Sequence, residues 1–156
     1  MKDKNIAIDL DDTLISHKNQ YYSSITQYSQ SSWKIKDSAK KYLPLLADLG
    51  YKFHLITARC SSETKDVNDI VLYIEKSLDI TFESITLTDG KEKGIYAHNK
   101  QCICIIDDNL NFLADCEAYN VIPLLFGKRK IPYNKHFSNL YACLSWKEVY
   151  EFLCKN

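Results

Sequence analysis

The chain has 156 residues, enough for one domain with a sizeable core, and its 46% hydrophobic and 26% charged residues are ordinary for a globular protein. Lys+Arg and Asp+Glu balance at 20 each, so no overall field favours nucleic acid or an anionic membrane. No run approaches the roughly 20 apolar residues of a membrane span. Met1-Lys2-Asp3-Lys4 lacks the apolar stretch of a secretory signal, so a cytoplasmic location is expected. The six cysteines, Cys60, Cys102, Cys104, Cys116, Cys143 and Cys154, include no C-x-x-C pair and complete no zinc pattern. They read as reduced thiols, mostly small core residues.

In chain order, residues 5–10 form a first strand that runs directly into acids. Residues 15–36 are polar and aromatic, with Tyr21, Tyr22, Tyr28 and Trp33 among Ser and Gln, and read as a small lid inserted beside a site. Residues 38–49 carry Ala39, Tyr42, Leu43, Leu46 and Leu49 at helical spacing and end at Gly50. Lys52–Thr57 is a second strand. Val67, Ile70, Val71, Ile74 and Leu78 mark a second helix, and Ser84–Thr88 a third strand. A short helix over 91–100 precedes a fourth strand, Cys102–Asp107, and residues 109–119 are predicted helical. Val121–Phe126 is a fifth strand, placed at an edge by Pro123. A basic loop fills 127–137, and the last helix opens at Ser145-Trp146-Lys147-Glu148, which has capping-box form.

Alternating strands and helices predict a three-layer α/β/α Rossmann-like domain over 1–156, with a five-stranded parallel sheet and a small cap insertion at about 15–36. Strands 1, 2 and 4 end in polar residues: Asp9, Thr57 and Asp107-Asp108. These ends meet if strand 1 lies between strands 2 and 4, which is where ligands bind in open parallel sheets.

The run Ile6-Ala7-Ile8-Asp9-Leu10-Asp11-Asp12-Thr13 drives an apolar strand into three carboxylates. Ionised carboxylates at such a position are costly without a cation or donors to neutralise them. Asp9 and Asp11 are two residues apart and can face one substrate, one as nucleophile and metal ligand, the other as general acid and base. The Thr57 hydroxyl and the Ala58 N–H can hold a phosphate oxygen, although a strand-end Thr commonly bonds its own backbone. Arg59 offers a phosphate fork or an ordinary salt bridge. Asp107 and Asp108 suit a hard cation such as Mg²⁺, whereas Asp108 or Asn109 could also cap the next helix. Lys93 is the candidate cation, with Lys91 and Lys100 close in sequence.

In order and spacing these elements resemble the haloacid dehalogenase superfamily of aspartyl-phosphate hydrolases. Asp9-Leu10-Asp11-Asp12-Thr13 is similar to its first motif, with Asp12 where Gly is usual, so that only the backbone of Asp12 is expected to matter. Thr57, Lys93 and Ile106-Asp107-Asp108 are similar to the second, third and fourth motifs. Asp107-Asp108-Asn109, Leu124-Leu125-Phe126, Pro132-Tyr133-Asn134 and Leu144-Ser145-Trp146-Lys147-Glu148 further resemble the 5′(3′)-deoxyribonucleotidase-like branch.

The resemblance implies that Asp9 attacks phosphorus and that Asp11 protonates the leaving alkoxide and then activates water. Thr57 and Lys93 would assist, and Asp12, Ala58 and Arg59 would bind substrate. Mg²⁺ would lie on Asp9, the Asp11 carbonyl and an acid from Asp107 and Asp108. The implied substrate is a small phosphate ester, such as a nucleotide, with no membrane or stable nucleic-acid partner and with room for a homodimer. A polynucleotide or phosphoprotein phosphatase of the same superfamily is the main alternative. A receiver-like phospho-acceptor domain is a remote one, since it would carry its acid pair on the first strand.

Overall fold

The computed structural model describes residues 4–17, 32–129 and 137–156. Strands β1 (Asn5–Ile8), β4 (Lys52–Thr57), β5 (Phe82–Leu87), β6 (Cys104–Asp107), β7 (Ile122–Phe126) and β8 (Tyr141–Cys143) form one parallel sheet in the order β5-β4-β1-β6-β7-β8. The sheet thus has six strands, not the expected five. The added strand, β8, has three residues, too few for a periodic pattern to register. β1 does lie between β4 and β6, the reversal point the polar strand ends required.

The two-residue alternation of β1 divides the core. Ile6 and Ile8 face helices α1 (Asp37–Asp48), α2 (Thr64–Leu78) and α4 (Trp146–Lys155). Ala7 and Ile105 face the opposite layer, where Ala97 of α3 (Gly94–Asn99), Leu113 and Cys116 pack. The predicted apolar stripe of α2 is buried at every named position. In α1, Ala39, Leu43 and Leu46 are buried, but Leu49 is the exposed cap, and Gly50 reverses the chain at φ +89°. All six cysteines are free thiols, four of them buried. Among the described residues, no helix is long and apolar enough to cross a membrane.

Three local expectations are corrected. Residues 109–119 form two 3-10 turns, Leu110–Leu113 and Glu117–Tyr119, not an α-helix. The Asn109 side chain accepts the Asn111 N–H at 3.0 Å, and Asp115 turns away to accept the N–H groups of Gly94 and Ile95 at 2.7 and 3.0 Å. The last helix lacks the expected capping box: Ser145 makes no side-chain cap, and Glu148 instead accepts the Leu144 N–H. Finally, β7 is internal despite Pro123. The Ile122 N–H donates to the Ile103 carbonyl just before β6 and the Gly127 N–H towards β8, so by alternation the Pro123 nitrogen faces β8. β8 pairs only from Leu124 onward, so the missing donor falls before that strand begins.

The described ends of the segment expected as a cap form an antiparallel pair, β2 (Ile15–His17) and β3 (Trp33–Ile35). Its residues 18–31, including Tyr21, Tyr22 and Tyr28, lie outside the described residues, as do 130–136 of the basic loop. Trp33 is buried and meets Tyr73 of α2 edge to face at 5.3 Å, so it packs β3 against α2.

Candidate active site

β1 ends at Ile8, and the Asp9 N–H still pairs with the Ile106 carbonyl at 2.9 Å. The chain then turns tightly: the Leu14 and Ile15 N–H groups both return to the Leu10 carbonyl, and the Asp12 N–H donates to Ile15 at 2.8 Å. Asp12 sits at φ +62°, the left-handed region that favours Gly and tolerates Asp. Its amide is therefore spent on the turn. Trp146, fully buried, locks this loop from behind by donating its indole N–H to the Thr13 carbonyl at 2.9 Å.

Asp9 and Asp107 close on a common cation. The Lys93 ammonium donates to Asp9 Oδ1 and to Asp107 Oδ2, both at 2.6 Å, and Lys93 and Asp107 are fully buried. Lys93 immediately precedes α3. Its own N–H is held by the Phe112 carbonyl at 2.9 Å, and Asp115 caps the next two residues. Gly94 is required there, because a Cβ would lie 2.5 Å from Asp115 Oδ1. Lys91, two residues earlier, is exposed, and so is Lys100. Of the three candidate lysines, only Lys93 enters the site.

One ammonium does not balance these acids. Burial pushes the Asp9 carboxyl well up, Lys93 pulls it down, and the neighbouring Asp107 pushes it up again. Burial likewise pushes Asp107 up to about 6, against the pull of Lys93. Burial would lower the Lys93 ammonium, but the two acids more than reverse this and raise it. One carboxylate oxygen from each of Asp9, Asp107 and Asp108 lies within 4.8 Å of the other two. Three hard oxygen donors with an uncompensated charge fit a Mg²⁺-like cation.

Asp11 has opposite surroundings. Arg59 donates to it through Nε at 2.9 Å and Nη2 at 2.7 Å, and His17 Nε2 lies 2.7 Å from Oδ1. Burial works against its charge, but these hydrogen bonds hold Asp11 well below the usual carboxylate range. Sequence reasoning missed His17. Only the turn at 11–14 folds β2 back on Asp11, and nothing in the residue pattern signals that.

Thr57 Oγ1 accepts the Arg59 N–H at 3.3 Å, so it satisfies its local backbone while lining the site. The loop it begins is tied to the end of β5: the Thr88 N–H bonds Thr57, and the Gly90 N–H bonds the Ala58 carbonyl at 2.8 Å. A pocket of about 330 Å³ gathers Asp9, Asp11, Asp12, Thr57, Ala58, Arg59, Asp107 and Asp108 at its walls. Lys93 lies beneath it. Burial and Asp108 raise the Asp12 carboxyl, another sign of excess negative charge at the mouth.

No family model matches the chain, and no curated protein matches it in sequence. Solved structures match it in fold. The D,D-heptose 1,7-bisphosphate phosphatase of B. bronchiseptica, solved with magnesium and phosphate, aligns over 97% of this chain and 98% of its own, with a TM-score of 0.69 at 12% identity. A haloacid dehalogenase-like hydrolase from Xanthomonas campestris aligns over 99% and 96%, with a TM-score of 0.70 at 10% identity. The cobalt-bound deoxy-D-mannose-octulosonate 8-phosphate phosphatase of Haemophilus influenzae aligns over 99% and 88%, with a TM-score of 0.61 at 13% identity. The domain therefore has the α/β Rossmann-like fold of haloacid dehalogenase-type hydrolases.

Proposed function

We propose that this chain is a haloacid dehalogenase-superfamily phosphomonoester hydrolase that uses Mg²⁺ and passes through an aspartyl-phosphate on Asp9. The observation that carries the reading is the Lys93 ammonium clamped between Asp9 and Asp107 under a pocket that Asp108 also enters. A phosphoryl group needs its charge neutralised before a carboxylate approaches it. The divalent ion, held by Asp9, Asp107, Asp108 and the Asp11 carbonyl, would supply that neutralisation.

Lys93 fixes Asp9 through Oδ1, and Thr13 donates to its Oδ2 at 3.0 Å, so the carboxylate is oriented before substrate arrives. Asp11, ionised in the free site, takes up a proton from solvent once its donors release it; Asp9 then forms a bond to phosphorus as the ester P–O bond breaks, and the departing oxygen takes that proton. Water then attacks phosphorus, gives its proton to Asp11 and releases phosphate and Asp9. Arg59 and His17 occupy both Asp11 oxygens in the free site. For Asp11 to reach the ester oxygen, one of those contacts must release it. Transfer of the Arg59 fork to the incoming phosphate would do so, which links substrate binding to proton transfer. Thr57 and Ala58 line the remaining wall and would complete the phosphate cradle.

The likeness of the C-terminal third to the 5′(3′)-deoxyribonucleotidase-like branch supports nucleotides or similarly small phosphometabolites as substrates. Mg²⁺-dependent phosphate release from p-nitrophenyl phosphate tests the activity. The expected result is turnover that EDTA abolishes and that Asp9→Asn reduces to background. Turnover by Asp9→Asn at the wild-type rate, or no turnover with any phosphate ester, would reject the reading.

A further inference from the structure

We propose that a second cleft, opening beside the catalytic pocket, receives the leaving group of the phosphate ester and that this leaving group carries a negative charge matched by Lys128. The inference rests on the phosphomonoesterase reading and narrows its substrate class to small, doubly anionic molecules. The cleft measures about 260 Å³ and is lined by Asp108, Asn109, Leu110, Leu125 and Lys128. Asp108 and Asn109 also line the catalytic pocket, so the two spaces share a wall.

The fold places this cleft where a leaving group would go. β7 lies beside β6 with Leu125 paired to Asp107, so Leu125 is one strand removed from the acids that flank Lys93. The chain then turns at Gly127, whose φ of +78° suits only glycine without strain. The Gly127 N–H is anchored to the Cys143 carbonyl at 2.8 Å, and Lys128 follows at the rim. The shared wall is firm: the Asn109 N–H donates to Asp107 Oδ1 at 2.9 Å, while its side chain holds the Asn111 N–H.

Charge decides what fits. Asp9, Asp11, Asp12, Asp107 and Asp108 crowd the mouth, Lys93 is committed to acids, and Arg59 serves Asp11 or the phosphoryl group being transferred. Among the described residues, Lys128 forms no ion pair. An anionic leaving group would be repelled by Asp108 unless a cation faced it, and Lys128 stands on the cleft that such a group would enter. A neutral alcohol could accept a hydrogen bond from that ammonium but would gain no charge pairing. A solvated surface lysine is the ordinary alternative. The volume falls below the roughly 300–1,000 Å³ of drug-sized pockets, which favours a chain of a few carbons. Among the described residues lining it, two are leucines and none is aromatic, so it offers no stacking face for a nucleobase.

The test compares matched esters with and without a second anion: glycerol phosphate against phosphoglycerate, a hexose monophosphate against its bisphosphate, and AMP, with p-nitrophenyl phosphate as reference. The expected result is kcat/KM at least about tenfold higher for the doubly anionic member of a pair. Whether phosphoglycerate or the bisphosphate gains more tells carboxylate from phosphate. Lys128→Ala should raise KM for the anionic member about tenfold more than for p-nitrophenyl phosphate, and Lys128→Glu should widen that gap. Lys128→Arg should restore the preference. Turnover of p-nitrophenyl phosphate without any such preference, equal effects of Lys128→Ala on every ester, or AMP as best substrate would overturn the subsite and leave the phosphatase reading standing. No turnover of any ester would overturn both.

Discussion

Asp9 and Asp11 leave the same strand two residues apart, yet they stand in opposite environments. Asp9 is buried and shares the Lys93 ammonium with a second acid, and its charge is under-compensated. Asp11 is gripped by Arg59 and His17, and its charge is over-compensated. Separated environments of this kind let two like carboxyls take different roles. The Asp9 side calls for a further cation. The Asp11 side must give one up before the carboxylate can meet substrate.

Removing Lys93 should break this contrast most severely. Lys93→Ala leaves Asp9 and Asp107 buried without their shared partner, and loss of one member of a buried ionic group costs about 3–5 kcal/mol. Urea unfolding of the metal-free protein should show that loss, and phosphatase activity should fall to background. Lys91→Ala, on the exposed neighbour, should stay within about 0.5 kcal/mol. Equal effects of the two variants would contradict the arrangement.

On the other side, Asp11→Asn should lower kcat by about 10²–10⁴-fold, the usual contribution of a general acid and base. Mg²⁺ affinity, read by titration calorimetry, should survive, because the expected contact is the backbone carbonyl. An unchanged kcat, or loss of Mg²⁺ binding, would count against this role for Asp11. His17→Gln retains a donor for Asp11 and should cost much less than His17→Ala.

Much of this contrast was legible in the sequence. Asp9, Thr57 and Asp107 end apolar runs, and a parallel sheet aligns such ends at one edge, where they meet if β1 lies between β4 and β6, as it does. Lys93 could be chosen over Lys91 only by its distance from Asp107. What stayed hidden depends on reversals of the chain. His17 meets Asp11 through the turn at 11–14, and Asp115 reaches α3 because residues 109–119 break into 3-10 turns. β8 is too short to show alternation. Pro123 signals an edge correctly for its own nitrogen, though not for the strand.

Titration should sharpen the comparison with a smaller effect. The folded state holds a proton on Asp107 up to about 6, against an ordinary value of 3.8. That contribution to stability is complete below the unfolded value and is lost as pH rises through about 6. Asp9 is shifted in the same direction. Asp11 acts in reverse: its stabilisation is present above its ordinary value of 3.8 and is lost only as pH falls well below it. Melting of the metal-free protein should therefore show stability falling from about pH 4 to pH 7. At pH 7, Mg²⁺ at a hundred times its Kd should add about 2.7 kcal/mol. A metal-free protein that gains stability over this range would mean that the raised carboxyls of Asp9 and Asp107 do not dominate it.

The smallest expected effect lies at Asp12, where the two sides meet. Its φ of +62° costs an Asp side chain conformational energy that glycine avoids, while its amide is already bonded to Ile15. Its carboxyl also faces the field of Asp108, which, after burial, pushes it upward. Asp12→Gly removes the backbone strain and one negative charge, but it loosens the unfolded chain, which offsets about 0.4–1 kcal/mol of any gain. The net change in stability should lie within about 1 kcal/mol of zero. The charge should be the more informative readout. With one acid fewer at the mouth, KM for a phosphate ester should fall about two- to fivefold at low salt and converge with wild type as salt screens the site. Asp12→Ala keeps the charge removal but places a β-carbon at a positive φ, so it should reproduce the KM change while lowering the melting temperature. If Asp12→Gly instead weakens Mg²⁺ binding, the carboxylate belongs with Asp9 and Asp107 on the cation-demanding side.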